Sequence, residues 1–123
     1  MKRIFLSLPM SGRSDKEIME QIKEMKAIFL MKNSFERGEE IEFEDNTDCP
    51  PIDSRDTVTP PLLYLGEAIR KMAYCDGVLF AEDYALARGC LIEEMVAKHY
   101  ELDTYYISFS ADNGEKIIFK EEK

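Results

Sequence analysis

A chain of 123 residues holds one core's worth of structure, so residues 1–123 are expected to form a single domain and not a multidomain enzyme. Sixteen Lys and Arg against twenty-five Asp and Glu leave a formal charge of −9, which repels phosphate polymers and anionic membranes and leaves room only for a small phosphate held by local donors. With 45% hydrophobic and 33% charged residues, the chain has the composition of a folded, solvated domain and not of a disordered tail.

The longest apolar run, residues 27–31, falls far short of the roughly 20 residues that cross a bilayer. No membrane partner is expected. Residues 1–12 lack the features of a secretory leader, and a cytoplasmic location is expected. Cys49, Cys75 and Cys90 are odd in number and scattered, and His99 is the single histidine, so no disulfide framework, metal site or cofactor is expected. Buried, reduced thiols are the expectation.

In chain order, residues 3–8 are a short apolar run stopped by Pro9 and Gly12, the pattern of a buried parallel strand running into a turn. Ser14 and Glu17 form a capping box ahead of Ile18, Ile22, Met25 and Phe29, which predicts a helix to about residue 32. Ile41 and Phe43 alternate with acids and predict a short second strand. The proline-rich stretch from Cys49 to Pro61 exceeds an ordinary connection and is expected to be a lid or binding loop. Leu62, Leu65, Ile69, Met72 and Ala73 mark a second helix that a proline starts near residue 61.

Val78, Leu79 and Phe80 predict the third strand, followed by a loop from Glu82 to Arg88. Leu91, Ile92, Met95, Val96 and His99 form an apolar stripe on a third helix that begins near Gly89. A fourth strand is expected over residues 104–109, and after the Asn113-Gly114 turn an edge strand over residues 116–119. Strands alternating with helices predict an α/β domain, with a parallel sheet of four to five strands and helices on both faces. Ligands of such sheets sit beyond the carboxyl ends of the strands. That rule draws together residues 7–14, the loop between Phe80 and Gly89, and the segment after Phe109.

Two stretches of that rim carry chemistry. In the first, Ser7, Met10, Ser11, Gly12 and Arg13 end a strand and lead into a helix, where amides, hydroxyls and a forked guanidinium suit a phosphate or carboxylate. In the second, Gly89 precedes Glu93 and Glu94 on the third helix. At about 100° per residue, Glu94 points away from the stripe and is expected to be solvated, whereas Glu93 lies on its shoulder and reaches the rim. The nearby helix amino terminus is expected to hold Glu93 ionised, as a nucleophilic carboxylate requires. Asp76, Glu82 and Asp83 are further acids near the rim, and Tyr64 and Tyr84 are aromatic side chains near it.

Residues 4–15, Tyr64-Leu65-Gly66, Asp76-Gly77-Val78 and Ala87-Arg88-Gly89-Cys90-Leu91-Ile92-Glu93, in this order and spacing, resemble the short phage and bacterial proteins related to nucleoside 2-deoxyribosyltransferases. The resemblance implies a Rossmann-like or flavodoxin-like sheet. It also implies a homodimer or larger assembly, and an N-glycosidic enzyme, hydrolase or transferase, acting on a deoxynucleoside or its monophosphate. In the enzymes of that superfamily a glutamate four residues after a glycine attacks the anomeric carbon, and Gly89 and Glu93 match that spacing. Glu93 is thus the expected catalytic residue, with Ser7, Met10, Ser11, Gly12, Arg13, Tyr64, Asp83, Arg88 and Gly89 binding the nucleoside or nucleotide. The chain departs from the enzymes at Ala68, where they carry an aspartate, and at Ala87 and Arg88, where an Asp or Ser often stands. The alternative expectation is a binder of a nucleotide-derived ligand that uses the same pocket without catalysis, which the added cation of Arg88 favours.

Overall fold

The computed structural model describes residues 1–32, 39–48 and 60–121. Its elements are β1 (Lys2–Ser7), α1 (Asp15–Lys32), β2 (Ile41–Glu44), α2 (Pro60–Met72), β3 (Gly77–Phe80), a single 3-10 turn (Tyr84–Leu86), α3 (Arg88–His99), β4 (Asp103–Phe109) and β5 (Lys116–Lys120). The five strands form one sheet in the order β2-β1-β3-β4-β5. β1 pairs in parallel with both β2 and β3, β3 pairs in parallel with β4, and β5 closes the edge antiparallel to β4. This is the α/β sheet that the alternation of strand and helix patterns predicts and the Rossmann-like type that the resemblance implies, with β5 departing from the expected parallel sheet as an antiparallel edge.

Side-chain alternation along the strands builds two cores. Ile4, Leu6 and Leu8 of the first strand region, with Leu79, Tyr105 and Ile107, face the α1 stripe of Ile18, Ile22, Met25 and Phe29. Phe29 meets Tyr105 edge-on, their ring centres 5.1 Å apart. On the opposite face, Phe5, Val78, Phe80 and Tyr106 pack under Ala68 and Met72 of α2 and Ala97 of α3. The same alternation puts Ser7 on the α3 side, two residues beyond Phe5.

The capping box forms as expected: the Glu17 amide donates to Ser14 Oγ at 3.1 Å, and the Ser14 amide donates back to Glu17 Oε1 at 3.3 Å. The expected lid or binding loop lies outside the described residues for positions 49–59. Cys75 and Cys90 are buried, free thiols. No described helix is long and apolar enough to cross a membrane.

Two helix faces differ from the sequence reading. On α3 the buried residues are Cys90, Glu93 and Ala97, whereas Leu91 and Met95 of the expected stripe are 43% and 59% exposed. On α2, Ala68, Lys71 and Met72 are buried and Leu62 is exposed. Small Ala68 and Ala97, together with Met72, fill the core on this face of the sheet, and Leu62, Leu91 and Met95 are left outside it.

Candidate functional site

In a sheet ordered 2-1-3-4-5 the chain turns to opposite sides after β1 and after β3, so a crevice opens beyond the carboxyl ends of those two neighbouring strands. Ser7 ends β1 and pairs with Phe80, the last residue of β3. A cavity of about 1110 Å³ occupies this position. Met10, Ser11, Tyr64, Arg88, Gly89 and Glu93, all expected at the site, line it.

Glu93 reaches the cavity because α3 presents Cys90, Glu93 and Ala97, spaced three and four residues apart, to the sheet. The side chain is 8% exposed. Ser7, which is itself buried, donates from Oγ to Glu93 Oε1 at 2.7 Å. Burial pushes the Glu93 carboxyl up to about 7, against the Ser7 hydrogen bond, which pulls it down. This corrects the expectation that the helix amino terminus holds Glu93 ionised. Glu93 is the sixth residue of α3, beyond the first turn where the helix dipole acts most strongly, and desolvation wins.

Glu94 is also corrected. Far from being solvated, it accepts hydrogen bonds from Tyr106 at 2.7 Å and from Tyr84 at 3.0 Å, with Lys98 at 3.7 Å. Tyr84 is held there, its ring against Phe80 and Tyr106, and it takes no place on the cavity wall. Tyr64 does line the cavity, so of the two tyrosines it is the one available to a planar ligand group.

Ser7, Gly12, Arg13 and Asp83, which were also expected to bind the ligand, do not line the cavity, although Ser7 is bonded to Glu93, which does. Gly12 adopts a φ of 77°, a left-handed turn that glycine enters without strain, and the Arg13 amide closes that turn onto the Met10 carbonyl at 3.2 Å. The Arg13 guanidinium donates to Asp83 and to Gln21, and Gln21 donates to the other Asp83 oxygen at 3.0 Å. Partial burial raises the Asp83 carboxyl, but the bonds from Arg13 and Gln21 outweigh it and hold the group below its ordinary value. The two residues thus neutralise each other and tie the loop after β3 to α1.

The other acids weighed from sequence are also engaged. Glu82 is paired with Lys116 at 2.7 Å. Asp76 accepts from the Arg3 amide at 2.8 Å, at the amino-terminal rim of the sheet, the wrong end for the cavity. At the aspartate position of the resembling enzymes, Ala68 is packed in the core beneath α2, and the adjacent Glu67 is bonded by Arg70 at 2.7 Å.

Three polar wall residues escaped the sequence reading: Asp15 in the first turn of α1, and Asn46 and Thr47 just after β2. The rule that ligands lie beyond strand carboxyl ends would have found the latter two had it been applied to β2. Buried Lys71 holds this segment by donating to the Asp45 carbonyl at 2.8 Å and pairing with Asp48, and Asn46 in turn donates to the Tyr64 carbonyl at 2.9 Å. Among the described residues no group of three or more His, Cys, Asp or Glu side chains is placed to hold a metal ion.

No protein-family model, curated protein or solved structure matches this chain.

Proposed function

We propose that the protein is an N-glycosidic enzyme that acts on a deoxynucleoside or deoxynucleoside monophosphate through Glu93. The observation that carries this reading is the buried Glu93 carboxyl, gripped through one oxygen by Ser7 and opening onto a cavity at the switch point of the sheet. The resemblance to the deoxyribosyltransferase relatives, with Gly89 and Glu93 at the matching spacing, supports the same reading. In its ionised form Glu93 attacks C1′ of the sugar while the C1′–N bond breaks, and the bonding pair leaves with the base, which takes a proton from water at the open mouth. Water, or a second base, then displaces the glutamyl ester and restores the carboxylate. Tyr64 offers a face to the base, and Arg88 with the backbone at Gly89 offers donors to a 5′-hydroxyl or phosphate.

The test is release of free base from a panel of deoxynucleosides and their monophosphates, followed by chromatography. Wild-type protein is expected to release base, and Glu93→Gln to lose at least about a hundredfold in rate while still binding, because the carboxylate acts chiefly in the transition state. Bound ligand recovered intact from wild-type protein would overturn the enzymatic reading. That outcome favours the second reading, a non-catalytic binder of a nucleotide-derived ligand, which Arg88 on the cavity wall supports, since a cation binds phosphate without helping a base depart.

The assembly proposed with this function is a homodimer or larger. Leu86, 84% exposed on the cavity wall, and the exposed Leu62, Leu91 and Met95 supply apolar surface of the kind that copies of a chain bury. Light scattering is expected to give at least twice the 14.3 kDa chain mass; a monomer at micromolar concentration would refute it.

A further inference from the structure

The rotation of α3 about its own axis decides whether Glu93 stands in the cavity, and apolar burial does not account for the rotation observed. At about 100° per residue, Leu91 and Met95, each two positions from Glu93, lie roughly 160° away from it around the helix. Turning them onto the sheet would turn Glu93 out to solvent. Yet both stay exposed, while the inward face is made by Glu93 and the small side chains of Cys90 and Ala97, with Val96 half-buried beside them. Glu93 does not hold itself there: burial raises its carboxyl to about 7, so near neutral pH its charged form resists the position.

The next residue is tied down on the sheet side. Glu94 Oε2 accepts from the Tyr106 hydroxyl of β4 at 2.7 Å and from the Tyr84 hydroxyl, in the turn before α3, at 3.0 Å. Both rings are fixed: Tyr84 packs on Phe80 and Tyr106, with ring centres 5.2 and 5.6 Å apart, and Tyr106 stacks on Phe80 and on Phe119. Burial first, then the bond to Glu94, pushes the Tyr84 hydroxyl up to about 12 and raises that of Tyr106 as well, so both remain donors at neutral pH. Tyr106 also lies 3.1 Å from Glu121, but its single proton goes to the nearer carboxylate. Glu121 is served by Thr104 at 3.2 Å and Lys98 at 3.4 Å, and Lys98 stands 3.7 Å from Glu94.

We propose that Glu94 is a rotation lock for α3: its bonds to Tyr106 and Tyr84 hold the helix with Glu93, and not Leu91 and Met95, against the sheet. Glu94 stands about 100° from Glu93 around the helix, so a turn large enough to bury Leu91 and Met95 would carry it off both hydroxyls. It does not line the cavity and is therefore a positioning residue, acting through the helix on its neighbour. This deepens the proposed function, on which it rests only for the use made of Glu93 once it is in place.

The experiment follows the Glu93 carboxyl with no substrate present. Full-length protein labelled at the glutamate side-chain carboxyl carbon is titrated by NMR, with the Glu93 signal assigned by its loss in Glu93→Gln. Glu94→Ala is expected to lower the Glu93 midpoint from about 7 toward 4.5, the value of an exposed glutamate. Glu94→Gln, whose amide oxygen still accepts from both tyrosines, should leave it near 7. Adding Leu91→Gln and Met95→Gln to Glu94→Ala takes away the pull toward the other rotation and should bring the midpoint back. Should Glu94→Ala not fold, Tyr84→Phe combined with Tyr106→Phe removes the donors instead and should lower the midpoint in the same way.

A midpoint that stays near 7 in Glu94→Ala or in the double tyrosine variant would overturn the proposal, even with a lower melting temperature, because a merely structural role moves only the latter. Equal falls in Glu94→Ala and Glu94→Gln would also overturn it, since both remove the same charge and only one removes the lock. So would a midpoint that does not recover when Leu91 and Met95 are made polar. Failure of the wild type to release base would leave these shifts in place, and absence of the shifts would leave any base release standing, so the two readings fail separately.

Discussion

The carboxyl of Glu93 titrates near 7 where an exposed glutamate titrates near 4.5, and that difference links the site to the stability of the fold. The raised value belongs to the folded state, so between about 4.5 and 7 the folded protein binds more protons than the unfolded chain. Its contribution is therefore fully present below about 4.5 and is lost as pH rises through 7. Glu93→Gln removes the charge and should be relatively more stable than wild type at pH 8 by up to roughly 3 kcal/mol, with the advantage shrinking toward pH 5. Urea unfolding at the two pH values reads this difference; an advantage equal at both would show that Glu93 titrates as an ordinary exposed acid.

Arg13 belongs to the same scale and leads to a different expectation from its sequence position. Its guanidinium joins Asp83 and Gln21 at about a quarter exposure, so Arg13→Ala should cost about 1 kcal/mol of stability and loosen the loop that leads into α3. Because the side chain stands off the cavity wall, a nucleoside and its monophosphate should lose affinity equally. Calorimetric titration checks this, and a loss confined to the phosphorylated ligand would restore Arg13 as the phosphate contact.

At the scale of elements, Gly77 shows how tightly the strands are fitted. A Cβ there would meet the Asp103 carbonyl at 2.9 Å and the Tyr105 ring at 3.1 Å, neither of which is a free side-chain end. Gly77→Ala is expected to destabilise the fold by about 1–3 kcal/mol as β3 is pushed from β4, and a thermal melt within a degree of wild type would contradict it. Element positions were legible in the sequence because β1 and β3 are short apolar runs, α1 opens on a capping box and α2 on a proline, whereas α3 begins after Ala87 with no side-chain cap. The phase of α3 was not. Periodicity assumes that bulky apolar residues mark the buried face, and here Leu91 and Met95 stay exposed while a glutamate goes inward. The Gly89 to Glu93 spacing nonetheless picked out a carboxylate that the structure buries on the cavity wall, because spacing along one helix survives an error in its rotation. The pairing of Arg13 with Asp83, 70 residues away, left no local trace to read.

At the scale of the whole molecule, the sheet order places the site where the chain changes direction, and the contributions come from far apart. Ser7 and Glu93 are separated by 86 positions, yet one hydrogen bond joins them. The cavity wall likewise draws on α1, the segment after β2, α2 and α3. Ser7 ends the first strand and is made early in synthesis, but it has nothing to hold until α3 has left the ribosome and docked. The near-neutral titration of Glu93 is thus a signature of completed assembly: a chain arrested before residue 93 lacks it, and one in which α3 has formed without settling on the sheet shows an ordinary glutamate. A single carboxyl resonance therefore reports when the two ends of the fold have met.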